Sequence, residues 1–148
     1  MTEISVSGQS IIMTKKYQVN KMDFVTAGEA SSAIRNVLLQ VGVESHIVRA
    51  ISIATYEAEM NIVIHSEGGE ILLFVEPDKI RVIAKDHGPG IENIDLAMQE
   101  GYSTAPAHVR EMGFGAGMGL PNIKRSSNEF RIYSEVGKGT ELEMGFHL

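Results

Sequence analysis

Apolar and polar residues alternate along the chain in patterns that predict its elements in order. Residues 10–20, SIIMTKKYQVN, alternate weakly and read as an opening strand. From Phe24 to Leu39 the period becomes helical, with Ala27, Ala30, Ile34, Val37, Leu38 and Val41 recurring on one side, and Gly42 stands where a C-terminal cap belongs. A second helix is expected from about Glu44 to Ser66. Within it Ile47, Ile51, Ala54, Ala58 and Ile62 form one buried stripe, and Gly68-Gly69 ends it. GEILLFVE and KIRVIAKD, joined by Pro77-Asp78, read as a hairpin in which Ile80, Val82 and Ala84 face inward. Asn93 to Glu100 predicts a short helix with Asn93 as its cap. Periodicity is lost from Gly101 to Met118 and resumes as a helix from Leu120 to Asn128, with Pro121 in the first turn. FRIYSE and TELEMGF close the chain as a second hairpin around residues 136–139. Hairpin strands with helices gathered beside them predict an α/β two-layer sandwich: a mixed, mostly antiparallel sheet with helices on one face.

Composition narrows this picture. The 148 residues suit one domain over 1–148, and 43% hydrophobic with 22% charged residues is the balance of a globular protein. The absence of cysteine removes disulfides, zinc–thiolate sites and thiol catalysis, and fits a cytoplasmic protein. No apolar run reaches the ~18 residues of a membrane span, and the first ten residues lack the pattern of a secretion signal. A formal charge of −6 argues against binding nucleic acid along its phosphates.

Four pieces of the sequence could carry chemistry, each with a plainer alternative. Glu57, Asn61 and His65 lie four apart and form a polar ridge on the long helix. A carboxylate and an amide oxygen on one face suit Mg²⁺ and its waters; the alternative is a solvated helix face. Asp86-His-Gly88-Pro-Gly90 ends a strand, where an aspartate can accept from an exocyclic amine and the glycines let the backbone approach a flat ligand; it is equally a good turn. Gly113-Phe-Gly115-Ala-Gly117-Met-Gly119-Leu enters a helix and suits phosphate binding, with a hinge as the alternative. It matches neither the dinucleotide fingerprint nor the P-loop spacing. Gly137-Lys-Gly139-Thr140 is most simply a hairpin turn.

In order and spacing the four together resemble the Bergerat-fold ATPases that include Hsp90, MutL, type II topoisomerases and histidine kinases. The E-x-x-x-N helix is similar to that family's N box, and D-x-G-x-G, G-x-G-x-G-L and G-K-G-T to its three glycine boxes. Within the family, Glu57 to His65 and the stretch Ser103-Thr-Ala-Pro106 with Arg110 resemble the small serine kinases and anti-sigma factors of bacterial partner-switching systems. Gly119 to Arg125 followed by Asn128-Glu-Phe130 looks more like the stressosome switch kinase, so the motifs mix two branches.

The resemblance implies ATP and Mg²⁺ as cofactors, with Asn61 on the metal and Asp86 on the adenine amine. It implies Gly88 and Gly90 beside the base, Gly115, Gly117 and Gly119 around the phosphates, and Thr140 near the adenine. Further ATP contacts would come from Ser103, Thr104 and Arg110 in a lid over 101–118, and from Leu120. Glu57 would be the general base of a protein-serine kinase. The implied partner is a STAS-type antagonist protein, with a sigma factor, a phosphatase or a second copy of the chain as further candidates. The competing expectation is an ATP-gated binding module, an anti-sigma factor, with slow or no catalysis.

Overall fold

The computed structural model describes residues 5–6, 9–100 and 119–148. Its elements are β1 (Ser5–Val6), β2 (Gln9–Ser10), β3 (Met13–Val19), α1 (Glu29–Gln40), α2 (Ser45–His65), β4 (Gly69–Val75), β5 (Lys79–Asp86), α3 (Ile94–Ala97), α4 (Gly119–Ser126), β6 (Glu129–Glu135) and β7 (Gly139–His147). The main sheet runs β3-β4-β5-β7-β6, and a small β1-β2 pair stands apart from it. Every pairing is antiparallel, so the sheet has no parallel member among the described residues, where a mixed sheet was expected.

Register decides which side of the sheet is buried. Ile71, Val82 and Leu142 share the inner face with their cross-strand partners, and α2 packs there together with α1 and α4. The outer face carries ion pairs instead: Lys16 with Glu70 at 3.0 Å, Arg81 with Glu143 at 3.0 Å and Lys85 with Glu141 at 3.5 Å. A charged outer face is satisfied by water, which is why the helices gather on the other side. No helix among the described residues is long and apolar enough to cross a membrane.

The expected helices form, but α1 begins late and α3 ends at Ala97, three residues short of the expected Glu100. Apolar spacing predicts a start at Phe24, whereas α1 begins at Glu29. Asp23 accepts from the Thr26 N–H and hydroxyl, which holds a turn there, and Gly28 then takes a left-handed conformation. The end of α1 is as predicted. Gly42, at φ 85°, lets its own N–H reach Leu39 and that of Val43 reach Leu38, the paired bonds of a Schellman cap. α2 runs one residue inside the expected limits at each end. Its predicted stripe is buried at Ile51, Ala54, Ala58 and Ile62, and Val48, Thr55, Glu59, Met60, Val63 and Ile64 are buried as well. Glu57, Asn61 and His65 stay partly open on an otherwise buried half of the helix.

Candidate functional site

The carboxyl end of β5 and the start of β7 build one half of the site. Asp86 continues the inward alternation of Ile80, Val82 and Ala84, so its carboxylate points toward the helix layer. Its Oδ1 accepts from the N–H of Gly88 at 2.9 Å and of Thr140 at 3.1 Å. No described residue donates to Oδ2, which remains free for an amine. Burial pushes the Asp86 carboxyl above its ordinary value; the two backbone donors and the nearby His87 oppose that rise and favour the ionised form. The Thr140 hydroxyl lies 2.9 Å from that of Ser134, which also accepts from the Ile91 N–H. Gly88 is pressed against the end of α2: a Cβ there would sit 2.9 Å from the Cβ of Ser66. Gly90, at φ 78°, approaches the Glu135 carbonyl so closely that a Cβ would lie 2.4 Å from its oxygen. The turn expected at residues 86–90 is therefore also a place where backbone must come close to backbone.

α2 and α4 build the other half. A Cβ on Gly119 would stand 3.1 Å from the Asn61 Oδ1 and 3.3 Å from the Glu57 Oε2. A larger residue here would press on both side chains and make them give by a few tenths of an ångström. This helix start thus lies beside a carboxylate and an amide, an arrangement suited to phosphate with its counter-cation. Burial raises the Glu57 carboxyl above its ordinary value, and a hydrogen bond with Asn122 opposes the rise. A half-buried carboxylate with raised proton affinity is suited to taking a proton. Burial lowers the His65 imidazole, which favours its neutral form. Leu120 is partly buried and packs against the core.

The two halves meet along α2. Ser66, against which Gly88 packs, lies nine residues after Glu57, or about 14 Å along the helix axis. An elongated ligand held at one end by Asp86 would therefore reach Asn61 and Glu57 at its other end. The residues fit ATP in this sense: a free acceptor oxygen at the strand end, close-packed glycine backbone beside it, and a helix start facing Asn61. Ser103, Thr104, Arg110, Gly115 and Gly117, and the lid expected over 101–118, lie outside the described residues.

Three contributors are absent from the sequence reading. Asn122 bonds Glu57, and Ser134 joins Thr140 to Ile91. Glu59, two residues from Glu57, holds the start of α1: its carboxylate accepts from the N–H of Gly28, Ala30 and Ser31 at 3.0–3.2 Å. The available sign of Glu59 was its spacing, three and four residues before Ile62 and Val63, which puts it on an apolar side of α2. Nothing in the sequence marks Ser134.

Comparison with known proteins identifies the family. Residues 43–148 match the model of the histidine kinase-, DNA gyrase B- and HSP90-like ATPase family. The serine/threonine-protein kinase RsbT of Bacillus subtilis is 34% identical over 113 residues, covering 74% of this chain and 79% of that one. An anti-sigma F factor of Anoxybacillus flavithermus is 33% identical over 98 residues, and the match spans 64% of its length, just under two thirds. A chain in the crystal structure of the SiaB-SiaC complex from Pseudomonas aeruginosa shares the fold, with a TM-score of 0.59 and 16% identity over 92% of this chain and 89% of that one. The strand-end aspartate, the Glu57–Asn61 ridge and the abutting glycine helix thus lie in a chain that belongs to the histidine kinase-, DNA gyrase B- and HSP90-like ATPases.

Proposed function

We propose that this chain is an ATP- and Mg²⁺-dependent protein-serine kinase acting on a STAS-type antagonist protein, as one cytoplasmic domain of a partner-switching module. The observation that carries the reading is Glu57: a half-buried carboxylate of raised proton affinity, beside Asn61 and the glycine start of α4. Bound ATP supplies the transferable phosphoryl group, and Mg²⁺ neutralises its charge. Asp86 accepts from the adenine amine, with Gly88, Gly90 and Thr140 shaping that end. The Asn61 amide oxygen serves the cation, and the N–H groups at Gly119 and Leu120 face the phosphates. Glu57 takes the proton of the attacking serine hydroxyl as its oxygen bonds the γ-phosphorus and the bond from that phosphorus to ADP breaks, leaving phosphoserine and ADP. The resemblance assigns further ATP contacts to Ser103, Thr104, Arg110, Gly115 and Gly117.

The likeness to anti-sigma F factors supports a second reading, an ATP-gated binding module with little catalysis and a sigma factor as partner. One experiment separates the two: incubation with labelled ATP, Mg²⁺ and STAS-type proteins of the same organism. The kinase reading expects label on a single serine of one of them. ATP binding without labelling of any STAS-type protein overturns it in favour of the binding module.

A further inference from the structure

On α2, Arg49, Ile53, Glu57, Asn61 and His65 stand four residues apart and make one row along the helix. The C-terminal half of that row belongs to the nucleotide site. The N-terminal half forms a wall of a groove between α1 and α2, with a volume of about 460 Å³. The groove is lined by Arg35 and Leu39 of α1 and by Arg49, Ile53, Tyr56 and Glu57 of α2. Glu57 is the member of the row that belongs to both halves.

The groove brings two kinds of side chain together. Leu39, Ile53 and Tyr56 are large apolar residues with 45%, 42% and 38% of their surfaces exposed, and all three line the groove. Arg35 and Arg49 stand among them, and neither takes part in an ion pair among the described residues. In a chain of net charge −6, this is a locally basic and apolar channel whose acidic group, Glu57, stands at one end.

We propose, resting on the kinase reading, that the α1–α2 groove is the docking cradle for the phospho-acceptor protein. The segment it takes carries apolar side chains and at least one carboxylate near the acceptor serine. The apolar side chains rest on Leu39, Ile53 and Tyr56, and the carboxylate pairs with Arg35 and Arg49. The bound segment then leads the acceptor hydroxyl past Glu57, so that it lies between that carboxylate and the phosphate end of the nucleotide. Eight residues of helix separate Arg49 from Glu57, about 12 Å, which fixes the reach between the partner's carboxylate and its acceptor serine.

The test uses STAS-type proteins of the same organism, with calorimetric binding in a non-hydrolysable ATP analogue and steady-state phosphotransfer. Both arginines are exposed, so the double variant Arg35→Glu/Arg49→Glu is expected to fold. It should weaken STAS-protein binding and raise the KM for that protein by about tenfold or more, with kcat and ATP affinity held within about twofold. Replacing the partner's carboxylate nearest its acceptor serine by lysine should restore binding to the double variant. Phosphotransfer by the wild type with an unchanged KM in the variant overturns the groove and leaves the kinase reading standing. Arginine-dependent binding without any transfer keeps the groove as a docking site and overturns the kinase reading. Absence of both binding and transfer overturns both. A change in oligomeric state of the variant, read by light scattering, overturns the proposal by showing the groove to be covered by a second copy.

Discussion

On α2 two carboxylates stand two residues apart, and their surroundings could hardly differ more. Positions 57 and 59 lie about 200° apart around the helix, so one faces α4 and the groove while the other faces the start of α1. Glu59 is 3% exposed and has both oxygens engaged, Oε2 by Gly28 and Ala30 and Oε1 by Ser31. Glu57 is half-buried and has Asn122 as its recorded partner. Burial strips water from both; backbone donors replace that water at Glu59 and largely do not at Glu57. A carboxylate satisfied by the N–H groups of a helix start is part of the scaffold. One left under-satisfied beside a glycine helix start has the proton affinity that chemistry can use.

The comparison breaks most visibly at Glu59. Glu59→Ala leaves three backbone N–H groups at the start of α1 without their acceptor, and should cost about 3 kcal/mol of stability by urea unfolding. A loss below about 1 kcal/mol would mean that water caps this helix equally well.

Glu57→Gln should behave in the opposite way. Phosphotransfer should fall by ~10²-fold or more in single-turnover measurements while Mg²⁺-ATP affinity holds. Asn61→Ala, one turn along, should instead lower both affinity and transfer, because it removes the oxygen assigned to the cation. Equal behaviour of the two variants would merge their roles and count against the assignment.

A smaller effect is expected at the other end of the site. Asp86→Asn turns an acceptor into a potential donor facing the adenine amine, and should weaken ATP by about tenfold in calorimetry. Unchanged affinity in the folded variant would remove Asp86 from the adenine contact.

The smallest effect is one of pH. Because folding raises the Glu57 carboxyl, its contribution to stability is full below the ordinary value of 4.5 and is lost as pH rises through the folded value. Glu57→Gln should therefore be more stable than the wild type at neutral pH, with the difference fading in acid. Phosphotransfer should rise with pH through a midpoint above that ordinary value. A midpoint at or below it would mean that Glu57 is not the group that titrates.

Much of this architecture was legible in the residues themselves. Periodicity located both long helices and both hairpins, because a stripe four residues apart and an alternation two apart each suit one backbone geometry. The polar ridge Glu57, Asn61 and His65 was readable for the same reason. The late start of α1 was not, because apolar spacing continues through Phe24 and Ala27 while the capping acceptor, Glu59, comes from another helix.

The sequence by itself determined which residues could bear chemistry and in what order they occur. Tertiary structure decided which of them meet. It set Gly119 against Glu57 and Asn61, Gly88 against the end of α2, and the Thr140 N–H on Asp86. It also gave one glutamate of α2 three backbone donors and left its neighbour but one under-satisfied. Local pattern fixes the direction in which a side chain leaves its own helix or strand. What that side chain encounters depends on contacts between segments far apart in the chain, which neither propensity nor spacing encodes.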